Sequence, residues 1–317
     1  MALNLRWRVA SMRTTRFLAV RAAHAGLLLL AVSILMFGLT ELVPGDFTDD
    51  LRLNPEVSPA TVLRLREQYG LDRSVAVQYW RWVESVAGGE FGFSVLYGRP
   101  VGPLLRERAL NTLLLSVTAT TIAWGAALPI GAWSARNHGR FSERAVGTIV
   151  TGVLALPDLL VALILLMAAV RVGGLPIGGL ASGDPSALGI GARWADMARH
   201  LVLPVSALTM VLLPALVRHV RASLIESMDA PFIQAAKAMG VSDWRLVYRH
   251  ALRAAASPLI PLLGLSVAGL LSASVTIEAV MSWPGLGPLL HDAIHARDVH
   301  LVVGATLVST LFVVGGN

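Results

Sequence analysis

The chain of 317 residues consists mainly of apolar side chains and carries few charges. Hydrophobic residues make up 55% of it and charged residues 15%, and the mean hydropathy is +0.66. Soluble domains carry about 25% charged residues, so this composition excludes an ordinary soluble protein and predicts an integral membrane protein. The chain has no cysteine, which excludes disulfides, thiol nucleophiles and cysteine-ligated metals.

The formal net charge is +6, and Lys237 is the one lysine among the 26 basic residues. The sequence around Lys237 does not form the GxxxxGK[ST] loop that binds nucleotide phosphates, so ATP hydrolysis by that chemistry is excluded. The arginines cluster in short segments between apolar runs, which is typical of membrane loops that face the cytoplasm. The charge therefore indicates membrane orientation, and we expect no nucleic-acid partner.

The chain begins with a basic segment, residues 1–21, which contains five arginines and no acidic residue. An apolar run, 22–43, follows it and predicts the first transmembrane helix, with the N-terminus in the cytoplasm. A cleaved signal peptide has the same order of basic and apolar regions. Its apolar region is shorter, about 7–15 residues, so we interpret 22–43 as a retained helix.

Residues 44–110 form the longest polar stretch and predict an extracytoplasmic insert with two amphipathic helices. The first begins at Ser58-Pro59 and ends at Gly70. The second precedes Gly88-Gly89, and its apolar face consists of Val75, Tyr79, Trp82, Val83 and Val86. Packing over the ends of the transmembrane helices and contact with another protein are both open as roles for this insert.

The remaining core, residues 111–317, contains five further apolar runs that we interpret as transmembrane helices. They are 111–135, 147–170, 201–220, 259–280 and 299–316. The loop after the first of these runs is short and basic, and the segment from Arg218 to Arg253 has six positive against three negative residues, so both are expected to be cytoplasmic. Backbone polar groups in lipid must be satisfied within each segment, so the sequence predicts an all-α protein with six transmembrane helices.

Residues 229–257, which we call the inserted segment, are an amphipathic and basic stretch between two of these runs. Asp229 is placed to cap a first short helix with Pro231 in its first turn, and Gly240 stands where a left-handed C-terminal cap is favoured. Ser242 is placed to cap a second helix. The predicted apolar stripe of that helix consists of Trp244, Val247, Tyr248, Ala251, Leu252 and Ala255.

Arginines recur every four residues on the other side of the second helix, at Arg245, Arg249 and Arg253. Such a cationic row suits either lipid phosphates or the acidic residues of a partner. An interfacial helix lying on the membrane is one interpretation. The corner at Gly240 favours the other, a pair of helices that inserts into a groove of a partner protein.

The inserted segment resembles the cytoplasmic coupling motif of ABC importer permeases, most closely in the dipeptide, oligopeptide and nickel branch. The resemblance is carried by Gln234-Ala235-Ala236 with Gly240, by His250-Ala251-Leu252-Arg253 and by Pro258. It implies docking into a cleft of an ATPase subunit. The residues to which it assigns this coupling role, together with their neighbours in the segment, are Gln234, Ala235, Ala236, Lys237, Gly240, Trp244, Tyr248, His250 and Arg253.

Two other regions are similar to the same family. Its first external region resembles three stretches between residues 44 and 94, which are PGD, YGLDRSVAVQYWRW and GEFGFS. The resemblance makes this region a candidate contact for a substrate-binding protein. TIEAVMSWPGLG and HDAIHARD, within 276–298, resemble its second signature and imply a tight external turn, here called the signature turn. The residues that carry it are Glu278, Pro284, Gly285, Gly287 and Asp298.

Two alternatives arise from single residues. HDAIH places His291 and His295 at i, i+4, the spacing of the HExxH zinc motif, although an aspartate replaces the general-base glutamate. Asp158 is an ionisable residue within an apolar run, which is a candidate relay group for a proton-coupled secondary transporter. It is also a candidate for lining the pore of an importer, or for lying near the membrane interface.

The resemblance implies a type I ABC importer permease of the bacterial cytoplasmic membrane, a multi-pass transport subunit for short peptides. It implies no catalysis and no cofactor in this chain, since ATP and Mg²⁺ belong to separate ATPase subunits. The implied partners are a second permease subunit, preferably a paralogue, two ATPase subunits, an extracytoplasmic substrate-binding protein and membrane lipid.

Overall fold

The computed structural model describes residues 2–42, 58–60, 63, 64, 67, 72–183 and 189–316. Apart from one two-stranded hairpin, the elements in these ranges are helices. In chain order they are α1 (Ala2–Leu42), α2 (Val75–Ala87), β1 (Phe93–Ser94), β2 (Arg99–Pro100), α3 (Val101–Arg136), α4 (Phe141–Leu154), α5 (Asp158–Val172), α6 (Ile190–Met228), α7 (Pro231–Ala238), α8 (Asp243–Arg245), a π-helical segment (Leu246–Ala251), α9 (Leu252–Val280), α10 (Leu286–His295) and α11 (Val299–Gly316).

Five helical stretches in the described residues are long and apolar enough to cross a membrane, and a bent pair of helices raises the number to six. The five are Thr15–Leu39, Val101–Arg136, Ile190–Met228, Asp243–Leu271 and Val299–Gly316. The predicted all-α membrane fold is confirmed. Helices satisfy the backbone hydrogen bonds of each span internally, which is the condition for burial in lipid.

The bent pair falls within the predicted third span, 147–170, which is not one continuous helix. Helices α4 and α5 meet at an angle of 100°. Pro157 stands between them with φ −59° and ψ 143°, an extended conformation from which α5 starts. The cause is local, because proline lacks a backbone N–H and disfavours helical geometry at the residue before it.

The chain divides into two compact units, and the first comprises residues 1–107 and 289–314. Its core includes Phe37 of α1, Trp82 of α2 and Val303 of α11. The ring centroids of Phe37 lie 5.3 Å from Trp82 and 5.2 Å from Tyr79. The predicted second amphipathic helix is confirmed, since its apolar face packs in this cluster. Most of the predicted first amphipathic helix, 58–70, and the PGD sequence lie outside the described residues.

The second unit comprises residues 108–288 and 315–317 and has two buried clusters. One joins α3, α5, α6 and the C-terminal half of α9, and it includes Leu115, Leu208 and Trp283. The other joins α3 and α6 to the inserted segment and the start of α9. The inserted segment is therefore packed against transmembrane helices along part of its length.

Helices α3 and α6 approach closely at Gly131. A Cβ atom at this position would lie 2.6 Å from Cγ1 of Val220 and 3.2 Å from the backbone nitrogen of Arg221. Small residues are what permit such contacts between membrane helices. At Gly125, six residues earlier on the same helix, nothing lies within 4 Å of a built Cβ.

These two glycines give a matched pair of substitutions. We expect Gly131→Leu to destabilise the protein by about 1–3 kcal/mol, because the added side chain overpacks the contact with α6. Gly125→Leu adds the same side chain in open space and should leave the unfolding temperature close to that of the wild type. Thermal unfolding of both detergent-purified variants is the measurement, and equal unfolding temperatures would contradict the close approach.

Candidate functional site

The inserted segment begins directly at the end of α6. Asp229 closes α6 in a right-handed helical conformation and donates its N–H to the Glu226 carbonyl, so it is not the cap of the next helix. Ala230 is extended and occupies the N-cap position of α7, with Pro231 in the first turn as predicted. Gln234 Nε2 donates to the Met228 carbonyl at 2.9 Å. This bond satisfies one of the carbonyls that a helix end leaves without an intrahelical partner.

Helix α7 buries one side and exposes the other. Ile233 and Ala236 are buried in the core that includes α3 and α6, so Ala236 contacts this protein's own core and is not open to a partner. Ala235 and Lys237 are exposed. The apolar Phe232 and Met239 are also exposed, at 55% and 78% of their surface.

The corner after α7 has the geometry that the sequence predicted. Gly240 has φ +82°, in the left-handed region. Its N–H donates to the Lys237 carbonyl at 3.0 Å, and the Val241 N–H donates to the Ala236 carbonyl at 3.2 Å. These two bonds form a Schellman motif, which ends a helix sharply and favours glycine. No atom lies within 4 Å of a Cβ built at Gly240, so the surface beside this corner is open.

The second half of the segment differs from the predicted α-helix. Ser242 holds the N-cap position without a side-chain capping bond, and a π-helical segment follows α8. The wider π turn changes which residues share a face, so Leu246, Val247 and Ala251 are buried. Trp244 is 55% exposed, and its predicted place in the buried stripe is wrong. Its ring centroid lies 3.8 Å from that of half-buried Tyr248.

The three arginines of the segment are exposed, and His250 is half-buried. The inserted segment therefore presents apolar, aromatic and cationic side chains together on its exposed side, while its opposite side is fixed in the core. The exposed members are Phe232, Ala235, Lys237, Met239, Trp244, Arg245, Arg249 and Arg253. Aromatic residues, methionine and arginine are the types enriched at protein interfaces.

The signature turn is organised around the fully buried carboxylate of Glu278, near the end of α9. Thr112 Oγ1 donates to Glu278 Oε1 at 2.7 Å, and the Gly287 N–H donates to Oε2 at 2.8 Å. The same threonine oxygen accepts the Leu286 N–H at 2.8 Å. Four polar groups are thus satisfied together inside an apolar region, where each would be costly alone.

The glycines of the turn are required by the close approach of this carboxylate and of the α9 backbone. A Cβ at Gly285 would overlap the Glu278 carboxyl group, and one at Gly287 would lie 2.7 Å from Val275 Cα. Pro284 offers its carbonyl to Asn111 Nδ2 at 2.8 Å. The tight turn therefore brings together four of the five predicted signature residues, which are Glu278, Pro284, Gly285 and Gly287.

The fifth, Asp298, lies in the other unit and is 2% exposed. Its Oδ2 accepts Ser94 Oγ at 2.7 Å and the Leu96 N–H at 3.2 Å, and its Oδ1 accepts the Leu301 N–H at 3.2 Å. The carboxylate thus caps α11 and fixes the β1–β2 hairpin, in which Ser94 pairs with Arg99. This contact joins the GEFGFS sequence to the Arg-Asp pair.

Asp158 lies in the first turn of α5, directly after the 100° bend. Its half-buried side chain lines a cavity of about 350 Å³ in the second unit. The other lining residues come from α6 and α9. They are Val211, Leu212, Ala215, Gly269, Leu270 and Ala273. The predicted pore candidate is therefore positioned at a cavity between transmembrane helices.

The geometry gives no support to a zinc site in HDAIH. His291 and His295 stack with ring centroids 4.2 Å apart, and His295 Nδ1 lies 2.9 Å from the backbone carbonyl oxygen of His291. No group of three or more His, Cys, Asp or Glu residues able to hold a metal occurs in the described ranges. These histidines are exposed surface residues.

An ion-paired cluster between α4 and α6 was not predicted from the sequence. Arg221 Nη2 donates to Glu143 Oε1 at 2.7 Å and lies 3.1 Å from His138 Nδ1. The Glu143 side chain is 7% exposed. In the sequence, Glu143 is one acidic residue among the basic residues of a short loop. Nothing in its spacing from Arg221 indicated that the two residues form an ion pair. The cluster ties the loop after α3 to the C-terminal half of α6.

Comparison with known proteins gives matches along most of the chain. The family described as binding-protein-dependent transport system inner membrane component matches residues 127–317, and the N-terminal family of such membrane components matches 14–97. The oligopeptide transport system permease protein AppB of Bacillus subtilis (strain 168) is 33% identical over 92% of this chain and 90% of its own. The glutathione transport system permease protein GsiC of Salmonella paratyphi A is 32% identical over 89% of this chain and 88% of its own.

One solved structure has the same fold over most of its length. A chain of the MetNI methionine ABC transporter, in inward-facing conformations, matches with a TM-score of 0.52 and 21% identity. The match covers 67% of this chain and 93% of that one. At this identity the similarity establishes the fold alone.

The carboxylate network of the signature turn is tested by a pair of threonine substitutions. Thr112→Val keeps the side-chain shape but removes the hydroxyl between Glu278 and Leu286, and we expect a loss of about 2–5 kcal/mol because two buried groups lose a partner. The Thr118 hydroxyl bonds only the carbonyl of its own helix, at Leu114, so Thr118→Val should cost less than about 0.5 kcal/mol. Thermal unfolding measures both variants, and equal losses would contradict the network.

Proposed function

Because this chain belongs to the family of binding-protein-dependent transport system inner membrane components, we propose that its inserted segment couples it to ATPase subunits and that it carries short peptides. The chain is a permease subunit of an ABC importer, a transport component and not an enzyme. The secondary-transporter and zinc-protease alternatives receive no support from these relatives.

The observation that carries the coupling proposal is the two-sided arrangement of the inserted segment. Ile233, Leu246 and Val247 are fully buried in a cluster with α3 and α6, so a force on the segment acts directly on transmembrane helices. Phe232, Met239 and the arginine row face outward. A knob of this composition suits a groove with an apolar floor and acidic rim on a partner protein.

The distribution of positive charge, which predicts the orientation of the chain in the membrane, also supports a coupling role for the inserted segment. Positive residues lie at the N-terminus, in the loop after α3 and in the inserted segment. In our proposal these three parts face the bacterial cytoplasm, where ATPase subunits reside. The β1–β2 hairpin and the signature turn then face outward, where a substrate-binding protein delivers its cargo.

The proposed mechanism is alternating access driven from the partner subunits. Two ATPase subunits hold ATP and Mg²⁺ and approach each other on binding nucleotide. A second permease subunit, a paralogue in our proposal, completes the pathway. The two nucleotide-dependent arrangements displace the inserted segments differently, and this difference biases the helices between inward and outward states.

The substrate assignment rests on the relatives. AppB is named for oligopeptides and GsiC for glutathione, itself a short peptide. Both align over most of this chain, 92% and 89% of it. Short peptides are therefore the class we propose for this permease.

The coupling proposal predicts that Gly240→Trp abolishes uptake. The variant adds a bulky side chain to the open surface and strains a φ of +82° that residues with a Cβ rarely adopt. Loss of a docked contact of this kind should lower uptake by at least about tenfold, with membrane insertion intact. Gly240→Asn, which tolerates left-handed geometry, should retain much of the activity. Uptake and co-purifying ATPase are measured together in the purified complex.

Gly174→Trp is the matched control for this experiment. Gly174 also has a positive φ, +85°, and no atom within 4 Å of a built Cβ, but it follows α5. We expect its uptake to remain near that of the wild type. Wild-type transport by Gly240→Trp, or equal losses in both variants, would contradict the coupling role of the segment.

A further inference from the structure

The cavity beside Asp158 has a chemically distinctive lining. Its six other residues are apolar or glycine, and Asp158 supplies the single charged side chain among them. The volume of about 350 Å³ is within the range of about 300–1,000 Å³ that small-molecule sites occupy. Such sites typically combine apolar walls with few polar groups that fix the orientation of the ligand.

The Asp158 carboxylate has no partner among the residues that the structure describes. In the part of the chain that the structure describes, no side-chain hydrogen bond or ion pair involves it. Two other carboxylates in or near spans behave differently, since Glu278 and Glu143 are each buried with hydrogen-bonded partners. An ionisable group in a span without such a partner is expensive and marks a functional site more often than a structural one.

The break at Pro157 places this carboxylate beside the middle portions of two transmembrane helices. Residues 211–215 and 269–273 lie toward the middle of α6 and toward the C-terminal half of α9, away from the ends of both helices. Interrupted helices near the middle of the membrane are a recurring way to expose binding groups to a transport pathway. The 100° bend starts α5 beside these residues, with Asp158 in its first turn.

We propose that this cavity is a substrate-binding site of the translocation pathway and that the Asp158 carboxylate binds a protonated amine of the peptide. This inference rests on the proposed peptide-import function and extends it to a contact residue. The free amino terminus is the cation that every unmodified peptide carries, and the apolar walls accept the adjoining side chain.

A structural role for Asp158 makes a different prediction. An acidic residue in the first turn of a helix stabilises it by interacting with the helix dipole. Asparagine in the first turn preserves the start of the helix at small cost, so Asp158→Asn separates the two roles. A dipole role lowers the stability of the protein and affects all substrates alike, whereas a binding role affects only peptides with a free amine.

The experiment measures uptake by proteoliposomes that contain the complete importer, supplied with its binding protein. The probes are tri-alanine, which has a free amine, and N-acetyl-tri-alanine, which has none. The measured quantity is the uptake rate of tri-alanine divided by that of N-acetyl-tri-alanine, in each variant relative to the wild type. Because the binding protein is the same throughout, its own preference cancels in this comparison. Asp158→Asn should lower the ratio about tenfold, and Asp158→Glu should recover most of it.

Glu226→Gln serves as the control, since Glu226 is exposed near the end of α6 and does not line the cavity. It should leave the ratio unchanged. An unchanged ratio in Asp158→Asn, or equal loss of both probes, would overturn this inference alone. Failure of the wild-type complex to import either peptide would instead overturn the proposed function on which it rests.

A cysteine reporter measures binding without transport. The chain contains no cysteine, so Ala273→Cys places a single thiol in the cavity wall. Tri-alanine should slow the reaction of this thiol with a methanethiosulfonate reagent. In the Asp158→Asn background, about tenfold more peptide should be needed for the same protection. Equal protection in both backgrounds would overturn the assignment of the amine to Asp158.

Discussion

The burial of one side of the inserted segment is the constraint on which this structure depends. Ile233, Leu246, Val247 and Ala251 are fully buried, in one cluster with α3, α6 and α9. The side chains of Ile233, Leu246 and Val247 each contribute roughly 1.5–3 kcal/mol on removal from water. The inserted segment is thereby packed into the core formed by the transmembrane helices. Its exposed aromatic and cationic side chains are therefore held in a fixed position relative to those helices.

Two carboxylates play an equivalent role in the rest of the chain. Glu278 holds the signature turn within one unit, and Asp298 holds the hairpin to the start of α11 within the other. Both are nearly inaccessible and accept at least two hydrogen bonds. Removing such an acceptor leaves several buried donors unpaired, which costs far more than the net gain from a typical hydrogen bond. The signature residues are thus explained as structural supports for a transport fold.

Much of the fold could be predicted because membrane helices follow from composition and local rules. The apolar runs, the amphipathic face around Trp82 and the left-handed Gly240 all depend on neighbours within a few residues. The contacts of Glu143 with Arg221, of Glu278 with Thr112 and of Asp298 with Ser94 could not be predicted, since each joins residues far apart in sequence. The π-helical segment was also missed, and with it the exposure of Trp244, because propensities do not distinguish α from π turns.

The central claim is that the exposed side of the inserted segment contacts an ATPase, and site-specific photo-crosslinking tests it most directly. A benzoylphenylalanine in place of Met239 lies on that exposed side, and one in place of Val172, which is 86% exposed at the end of α5, is the control. On irradiation of the native complex, the account predicts that the first variant crosslinks to an ATPase subunit and the second does not. Crosslinks from position 239 to lipid alone, or to no ATPase subunit, would contradict it.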